Sequence, residues 1–408
     1  MTPLPPKLSQ RSVNWSVAAI LSIATVGYLL IRDSDLLVDE IIHYRQIESY
    51  LHGVFERDPK LAMLPSYHLV IAALSYVLGV ETISGLRLLS LIFGLASVFV
   101  FYRCSTKLNG QAASLRTLDY FLLPILFPYF FLLYTDSFAM LFLLLAVNEY
   151  LERRYSSAGV FCGLSILVRQ TQVVWACMLL AMIYIDTNGC KFTWAAVQTL
   201  LKRCWVFVVV ILGFGVFVIN NGGLAVGYLQ YHPSFTWNLE NVFFSLLSFF
   251  FLFLPLHLVN LPQIRWPVKQ PYLFLIGCLV LSGIFMFTFT VDHPHNLYYR
   301  RFLRNRFLKI FTSNVLLQAS LLIPILWSIL SLSICSLHRR SQYLLYPFWL
   351  FSLLPVWLIE ARYYIPAMTL FLLFKKPEQI KLEKWLACYL CILSTILFSI
   401  ILSKKAFP

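Results

Sequence analysis

The apolar run "SVAAILSIATVGYLLI", residues 16–31, is followed almost at once by the charged stretch "LLVDEIIHYRQIESYLHG", residues 36–53. A membrane-spanning helix needs about 20 apolar residues, and fewer where neighbouring helices shelter its ends. The first run therefore predicts a permanent membrane anchor. The second stretch predicts a charged helix at the membrane surface, which opens with the adjacent acids Asp39 and Glu40.

The composition of the whole chain extends this reading. Of its 408 residues, 60% are hydrophobic and only 12% are charged, whereas soluble domains carry about 25% charged residues. The net charge of +14 would suggest nucleic acid as a partner of a soluble protein. In a membrane protein, Lys and Arg instead mark cytosolic loops. We therefore expect membrane lipids, and no nucleic acid, as partners.

Apolar runs recur along the chain and predict an all-α polytopic membrane protein, a single domain over residues 1–408. We expect about thirteen transmembrane helices, and we read the short run 66–80 as interfacial or re-entrant. The predicted spans are 16–31, 86–102, 118–133, 137–151, 158–168, 172–185, 205–219, 242–261, 272–291, 316–336, 343–359, 363–374 and 385–403.

With the N-terminus in the cytosol, the cytosolic segments carry most of the net positive charge, in agreement with the positive-inside rule. The basic cluster between Arg300 and Lys309 is the exception, because it falls on the far face. The largest far-face loop is predicted at about 32–85, and the unusual polar motifs of the chain converge on the same side. Ionisable residues beside apolar spans are costly and tend to be functional.

Asp39 and Glu40 lie about 100° apart on a helix, so only one of them can point straight into a site. One interpretation is that the acids complement the dipole at the start of an interfacial helix. The other is that one carboxylate is a general base for an acceptor hydroxyl. The sequence leaves open which of the two residues would serve.

Further polar residues lie at the ends of apolar runs, and for each of them a structural role is one interpretation. Asp136 is either a helix-end cap or a second acid. Arg169 either snorkels to the interface or, beside Gln170, donates to a phosphate. Glu360 and Arg362 could simply pair with each other. His232 is a lone histidine of the kind that is usually structural.

The segment 292–309 mixes Asp292, His295 and Tyr299 with five basic residues that begin at Arg300. It is either a basic helix on anionic headgroups or a binding site for a lipid-linked phosphate. Its acid and histidines are too bunched to supply separate metal ligands, so we expect no metal site. Neither a Walker A loop nor a G-x-S-x-G elbow is present, which disfavours nucleotide and serine hydrolysis.

Taken in order, several motifs resemble the dolichyl-phosphate-glucose-dependent α-1,2-glucosyltransferase family of the dolichol pathway, which belongs to the GT-C glycosyltransferases. The resemblance extends from about residue 36 to 366. The motifs that carry it are "DEIIHYRQIESYLHG", "DPKLAMLPSYHLV", "GLRLLSLIFG", "LLYTD", "LVRQTQVVWA", "NNGGLAVG", "HPHNLYYRR" and "EARYYIP".

The chain departs from the family pattern at three places. Where G-D-[KR]-S-x-H-E is expected, residues 227–233 read "GYLQYHP", in which Gly227 and His232 match. Where D-N-R-H-Y-T-F-Y is expected, residues 292–299 read "DHPHNLYY", and Pro294 replaces the arginine. Gln172 replaces the asparagine of R-Q-T-N.

The resemblance implies a GT-C-like bundle with interfacial helices in its first lumenal loop. It implies transfer of glucose from dolichyl-phosphate-glucose, in α-1,2 linkage, to a diglucosylated lipid-linked oligosaccharide. That step is an inverting single displacement and ends assembly of the N-glycan precursor. Both partners would be lipids of the endoplasmic reticulum membrane, with the active site facing the lumen. Neither a cofactor nor a metal ion is implied.

The resemblance also implies roles for individual residues. Asp39 or Glu40 would be the catalytic base, with Asp39 slightly favoured. Arg169, His295 and Arg300 would bind the dolichyl phosphate. The other residues expected to bind substrate are Asp136, Gln170, His232, Asp292, Tyr299, Glu360 and Arg362.

Three alternatives stay open at this point. The first is another GT-C transferase that uses a dolichyl-phosphate sugar, for mannose or an earlier glucose. The second is a transporter, although the repeated halves and broken helices typical of transporters are not evident. The third is a non-catalytic homologue that binds a partner.

Overall fold

The structure is a computed structural model that describes residues 10–233, 236–265, 271–377, 379–404 and 406–407. Over these residues the chain forms α-helices joined by short 3₁₀ turns, and its only β-structure is two isolated bridges. The helices up to residue 203 are α1 (Gln10–Ile31), α2 (Glu40–Leu51), α3 (Ser66–Leu78), α4 (Ile83–Asn109), α5 (Ala113–Phe121), α6 (Asp136–Leu151), α7 (Tyr155–Val168), α8 (Val173–Asn188) and α9 (Trp194–Arg203).

The remaining helices follow a similar pattern, with short helices between longer apolar ones. They are α10 (Trp205–Asn221), α11 (Glu240–Leu252), α12 (Leu254–Asn260), α13 (Pro271–Thr288), α14 (Pro294–Tyr298), α15 (Leu303–Phe311), α16 (Val315–Ser320), α17 (Leu322–Ile334), α18 (Leu345–Leu353), α19 (Ile365–Phe374) and α20 (Ile380–Leu402).

Two helices lie at the centre of the bundle. All ten residues of α19 are buried, as are nearly all residues of α6. A helix that is apolar on every side can be buried on every side, and both sequences have that character. Helix α6 packs mainly against α4 and α7. By contrast, α10 buries a single residue, Phe207, and α13 leaves most of its apolar side chains exposed, as expected of helices that face lipid.

Several helices have the length and composition to cross a membrane. Three qualify singly within the described residues: Ile83–Phe121, Val315–Ile334 and Ile380–Leu402. Two bent pairs, α9 with α10 and α11 with α12, raise the number to five if each pair is one span. The chain is therefore an all-α, multi-pass membrane protein. The figure of thirteen spans stays a prediction.

One predicted span, 118–133, is not a continuous helix. Helix α5 ends at Phe121, and only the 3₁₀ turn Phe127–Phe130 follows before α6. Pro124 and Pro128 explain the break, because proline cannot donate the backbone hydrogen bond that a helix interior needs. The irregular backbone is buried in protein, where side chains satisfy its polar groups; Ser90 Oγ, for instance, donates to Leu132 O at 3.0 Å.

The first loop, 32–85, contains α2 and α3, which pack against each other. Helix α3 has only 13 residues, or about 20 Å of length, too short to span a bilayer in an upright orientation. Both helices are therefore consistent with the predicted interfacial helices.

Candidate active site

An open cavity of about 740 Å³ is formed where distant parts of the chain meet. Its wall includes the start of α2, the turn between α7 and α8, and the loop after α10. The segments 295–304, 352–363 and 401–407 complete it. Because these segments are scattered over the sequence, the cavity exists only in the folded chain.

Asp39 lies at the N-terminus of α2 and faces this cavity. Its side chain is 40% exposed, and Arg362 Nη2 donates to its Oδ2 at 2.8 Å. Val38, just before it, has φ +54°, a left-handed conformation that is strained for a β-branched residue. The carboxylate is thus accessible from the cavity and is oriented by an arginine.

Glu40 points the other way and is completely buried. Arg87 donates to it through Nε at 2.9 Å and Nη2 at 2.7 Å. The backbone N–H groups of Leu37 and Leu133 donate to the same carboxylate at 2.9 and 3.0 Å. With its oxygens occupied, Glu40 stabilises the loop that presents Asp39 and is not part of the cavity wall.

Arg362 joins Asp39 to a second carboxylate. Its Nη2 lies 3.5 Å from Glu360 Oε2, and Arg304 Nη2 lies 2.7 Å from the same oxygen. Burial acts to lower the pKa of Arg362, but the Glu360 and Asp39 carboxylates raise it well above its ordinary value. The guanidinium also lies over the ring of Tyr134, 5.3 Å from its centroid. Arg362 is therefore a fixed cation in the cavity wall.

A second ion pair joins Asp136, the first residue of α6, to Arg169, just after α7. Asp136 borders a small adjoining pocket of about 20 Å³, and Arg169 borders both spaces. Gln170 Nε2 is buried beside the cavity and has no hydrogen-bond partner among the described residues. An unsatisfied buried donor in a cavity wall is a suitable group for a substrate oxygen.

The loop after α10 is held against the first loop by close backbone contact. Val226 N donates to Ala62 O at 3.0 Å. A Cβ on Gly227 would lie 2.7 Å from Leu61 O and 2.8 Å from Pro59 O, so only glycine fits there. The loop carries His232 into the cavity wall, where burial lowers the pKa of this histidine to about 4.

His295 lines the same wall and is half-buried. Desolvation lowers its pKa, and the Asp39 carboxylate acts in the opposite direction. The adjacent His293 is buried and connects two segments: its Nδ1 accepts from His295 N at 3.1 Å and its Nε2 lies 3.1 Å from Tyr231 O. The neutral imidazole with its proton on Nε2 satisfies both contacts.

The structure brings eight of the twelve predicted site residues into the large cavity: Asp39, Arg169, Gln170, His232, His295, Tyr299, Glu360 and Arg362. Asp136 lies in the small pocket beside it. Three others lie elsewhere. Glu40 is buried behind α2, Asp292 is exposed and accepts from Trp357 Nε1 at 2.7 Å, and the exposed Arg300 does not border the cavity.

The sequence analysis missed several residues of the wall. Arg301 and Arg304 line it in place of Arg300, and the basic run 300–309 could have suggested them. Tyr228 and Tyr231 belong to a segment singled out only for its divergence. Lys404, which pairs with Asp35, and Phe407 come from the end of the chain, where no sequence signal indicated them. Across the described residues, no cluster of three or more His, Cys, Asp or Glu side chains could hold a metal ion.

Fold and site together define a class: a multi-pass membrane protein with an open cavity lined by several arginines and by the accessible carboxylate of Asp39. The sequence profile of the DIE2/ALG10 family matches residues 33–193 and 182–373. The chain belongs to this family.

Relatives from animals and plants share one name, Dol-P-Glc:Glc(2)Man(9)GlcNAc(2)-PP-Dol alpha-1,2-glucosyltransferase. A Drosophila melanogaster protein is 28% identical, over 54% of this chain and 58% of its own length. A human protein is 26% identical, over 90% of this chain and 89% of its own. An Arabidopsis thaliana protein is 22% identical, over 91% and 92%.

Among solved structures, the apo oligosaccharyltransferase of Archaeoglobus fulgidus is similar with a TM-score of 0.44 and 12% identity. The match covers 96% of this chain and 56% of that one.

Proposed function

We propose that the protein transfers glucose from dolichyl-phosphate-glucose, in α-1,2 linkage, to a diglucosylated lipid-linked oligosaccharide. Family membership and the shared name of the relatives support this substrate pair. The observation that carries the chemistry is the accessible Asp39 carboxylate, oriented by Arg362 at 2.8 Å in the wall of a 740 Å³ cavity.

In the proposed reaction Asp39 is the general base. It takes the proton of the acceptor glucose 2-hydroxyl while that oxygen attacks the anomeric carbon of the donor. The bond between that carbon and the phosphate oxygen breaks, and its electron pair leaves with the dolichyl phosphate. Attack from the face opposite the phosphate inverts the configuration, so a β-linked donor yields an α-1,2 glucoside.

Cationic side chains of the cavity would stabilise the departing phosphate. Arg169, Arg301 and Lys404 line the wall, and a guanidinium can donate two parallel hydrogen bonds to a phosphate. Charge developing on the leaving group is stabilised most by donors that are already fixed in place. The mechanism proposed here requires no cofactor or metal ion.

The lipid tails of both substrates account for a membrane location. A dolichyl chain stays in hydrocarbon while its phosphate lies at the interface, where the open cavity would receive it. We place the protein in the endoplasmic reticulum membrane with this cavity facing the lumen, as the substrates named for its relatives suggest.

A reconstituted assay tests the proposal. Purified protein is supplied with dolichyl-phosphate-glucose and Glc(2)Man(9)GlcNAc(2) diphosphate dolichol, and the released glycan is analysed by mass spectrometry. We expect a gain of one hexose, formed at a much lower rate with the Asp39→Asn variant. Dolichyl-phosphate-mannose is the control donor. No transfer from the glucose donor, or transfer from the mannose donor alone, would refute the proposed function.

A further inference from the structure

Four side chains, Tyr228, Tyr231, His295 and Tyr299, form an aromatic cluster in the cavity wall. The ring centroids of Tyr231 and His295 are 4.7 Å apart, and those of His295 and Tyr299 are 5.0 Å apart. Tyr228 lies 4.6 Å from Tyr231. None of the four is fully buried, and Tyr299 is 52% exposed, so ring surface remains available to a ligand.

The aromatic cluster differs in charge from the rest of the wall. Arg169, Arg301 and Arg362 supply positive charge to the same cavity. Desolvation lowers the pKa of His295, and that of the neighbouring His232 to about 4, so burial disfavours the charged form of both imidazoles. A phosphate gains little from an uncharged imidazole when arginines are available nearby.

The aromatic cluster is fixed from both sides. His293 binds the backbone of Tyr231 and of His295, while Val226 and Gly227 hold the preceding turn against the first loop. Tyr228 itself has φ +56°, a conformation that a tyrosine adopts only when its surroundings require it. Rings fixed in this way can bind a ligand without a further loss of side-chain entropy.

A pyranose matches this surface. One face of a glucose ring presents C–H groups that pack on the electron-rich face of an aromatic ring, while its rim of hydroxyls needs hydrogen bonds. Tyrosine hydroxyls and neutral imidazole nitrogens can supply those bonds. The Asp39 carboxylate affects the pKa of both His232 and His295, so the aromatic cluster and the proposed base share one space.

We propose that Tyr228, Tyr231, His295 and Tyr299 form a stacking platform for the terminal glucose of the acceptor oligosaccharide, in the same cavity as the proposed base Asp39. The inference rests on the proposed function and deepens it, because it assigns the acceptor sugar to four named side chains of the cavity wall. It also assigns His295 to the acceptor sugar, whereas the resemblance in the sequence implied that this residue binds the dolichyl phosphate.

Kinetics of three variants test the platform: Tyr231→Ala, Tyr231→Phe and the control Tyr298→Ala. Tyr298 neighbours the platform in sequence but is 76% exposed and lies outside the cavity. We expect Tyr231→Ala to raise the acceptor KM about tenfold, the effect of losing a stacked contact, with the donor KM unchanged. Tyr231→Phe keeps the ring and should retain most of the affinity, and the control should behave as wild type.

Two kinetic results would overturn the platform: an acceptor KM that Tyr231→Ala leaves unchanged, or donor and acceptor KM values that rise together. Thermal stability of each variant in detergent identifies a folding defect.

Saturation-transfer NMR with free Glc(2)Man(9)GlcNAc(2) needs no turnover. Contact of the terminal glucose with wild type and Tyr231→Phe, but not with Tyr231→Ala, supports the platform, and its absence from wild type overturns it. A wild-type protein that binds this glycan without transferring glucose would refute the proposed function alone.

Discussion

At the scale of single residues, Asp39 and Glu40 show how neighbours in the chain acquire different environments. Helix α2 starts between them, so one carboxylate faces the cavity and the other faces the protein interior. Glu40 and Arg87 are both completely buried, and Arg87 also donates to Ile31 O at 2.7 Å and Ser34 O at 2.9 Å. The buried pair fixes the loop that leads into Asp39.

The first prediction concerns Asp39→Asn. The amide keeps the size of the side chain but cannot accept a proton, so we expect kcat to fall about 10²- to 10⁴-fold. Because Asp39 is 40% exposed, the thermal stability of the variant in detergent should stay close to that of wild type. Single-turnover transfer assays and a melting curve on the same preparation provide the two measurements.

Glu40→Gln should give the opposite pattern. It leaves the buried Arg87 without a countercharge, a change that costs about 3–5 kcal/mol in other proteins. We expect a clear loss of thermal stability, with the residual folded protein keeping more activity than Asp39→Asn. Equal and mild effects of the two substitutions on rate would contradict the assignment of Asp39 as base.

At the scale of elements, the loop between α10 and α11 illustrates how a cavity wall is held in place. A Cβ on Gly227 would meet the carbonyl oxygens of Pro59 and Leu61 and the guanidinium of Arg57. Two of these neighbours are backbone atoms, which cannot move aside as the end of a flexible side chain can. The packing of this loop therefore requires a residue without a side chain.

Gly227→Ala should therefore displace the loop and reduce acceptor affinity. Gly213→Ala is the matched control, because Gly213 lies within α10 and a Cβ there would meet nothing within 4 Å. Alanine also has the better helix propensity, by about 1 kcal/mol, so the control should be neutral or slightly stabilising. We would measure acceptor KM and melting temperature for both, and a Gly227→Ala enzyme indistinguishable from the control would show that the loop tolerates displacement.

At the scale of the molecule, contacts between segments near the two ends of the chain hold the cavity wall together. Asp39 and Arg362 are 323 positions apart, and the pair Lys404 with Asp35 spans 369. Phe407 adds a further contact to the wall. Its N–H donates to Arg301 O at 2.9 Å, and its carbonyl oxygen accepts from Leu303 N at 2.7 Å. The site therefore depends on complete assembly of the bundle.

The orientation of the bundle can be measured with thiol labelling. Helix α8 starts at the cavity with Val173 and ends at Asn188, so the exposed Cys190 lies at the opposite end of the molecule. In intact microsomes a membrane-impermeant maleimide should label Cys190. A cysteine introduced at the exposed Phe55 of the first loop should react only after permeabilisation. The reverse pattern would place the cavity in the cytosol.

The sequence by itself determined that the chain lies in a membrane as helices, because apolar composition and run length act locally. It also indicated eight residues of the cavity wall, since polar groups at the ends of apolar runs are rare enough to be noticed. The break at 122–135 could have been read from Pro124 and Pro128, yet its apolar character predicted a span.

Only the tertiary structure decided which groups meet. The separation of Asp39 from Glu40 depends on Arg87 and Leu133, and the choice of Arg301 over Arg300 depends on how the segment before α15 turns. The assembly of tyrosines around His295 depends on contacts with the first loop. Such contacts join residues far apart in the chain, and neither periodicity nor composition encodes the distance between two such residues.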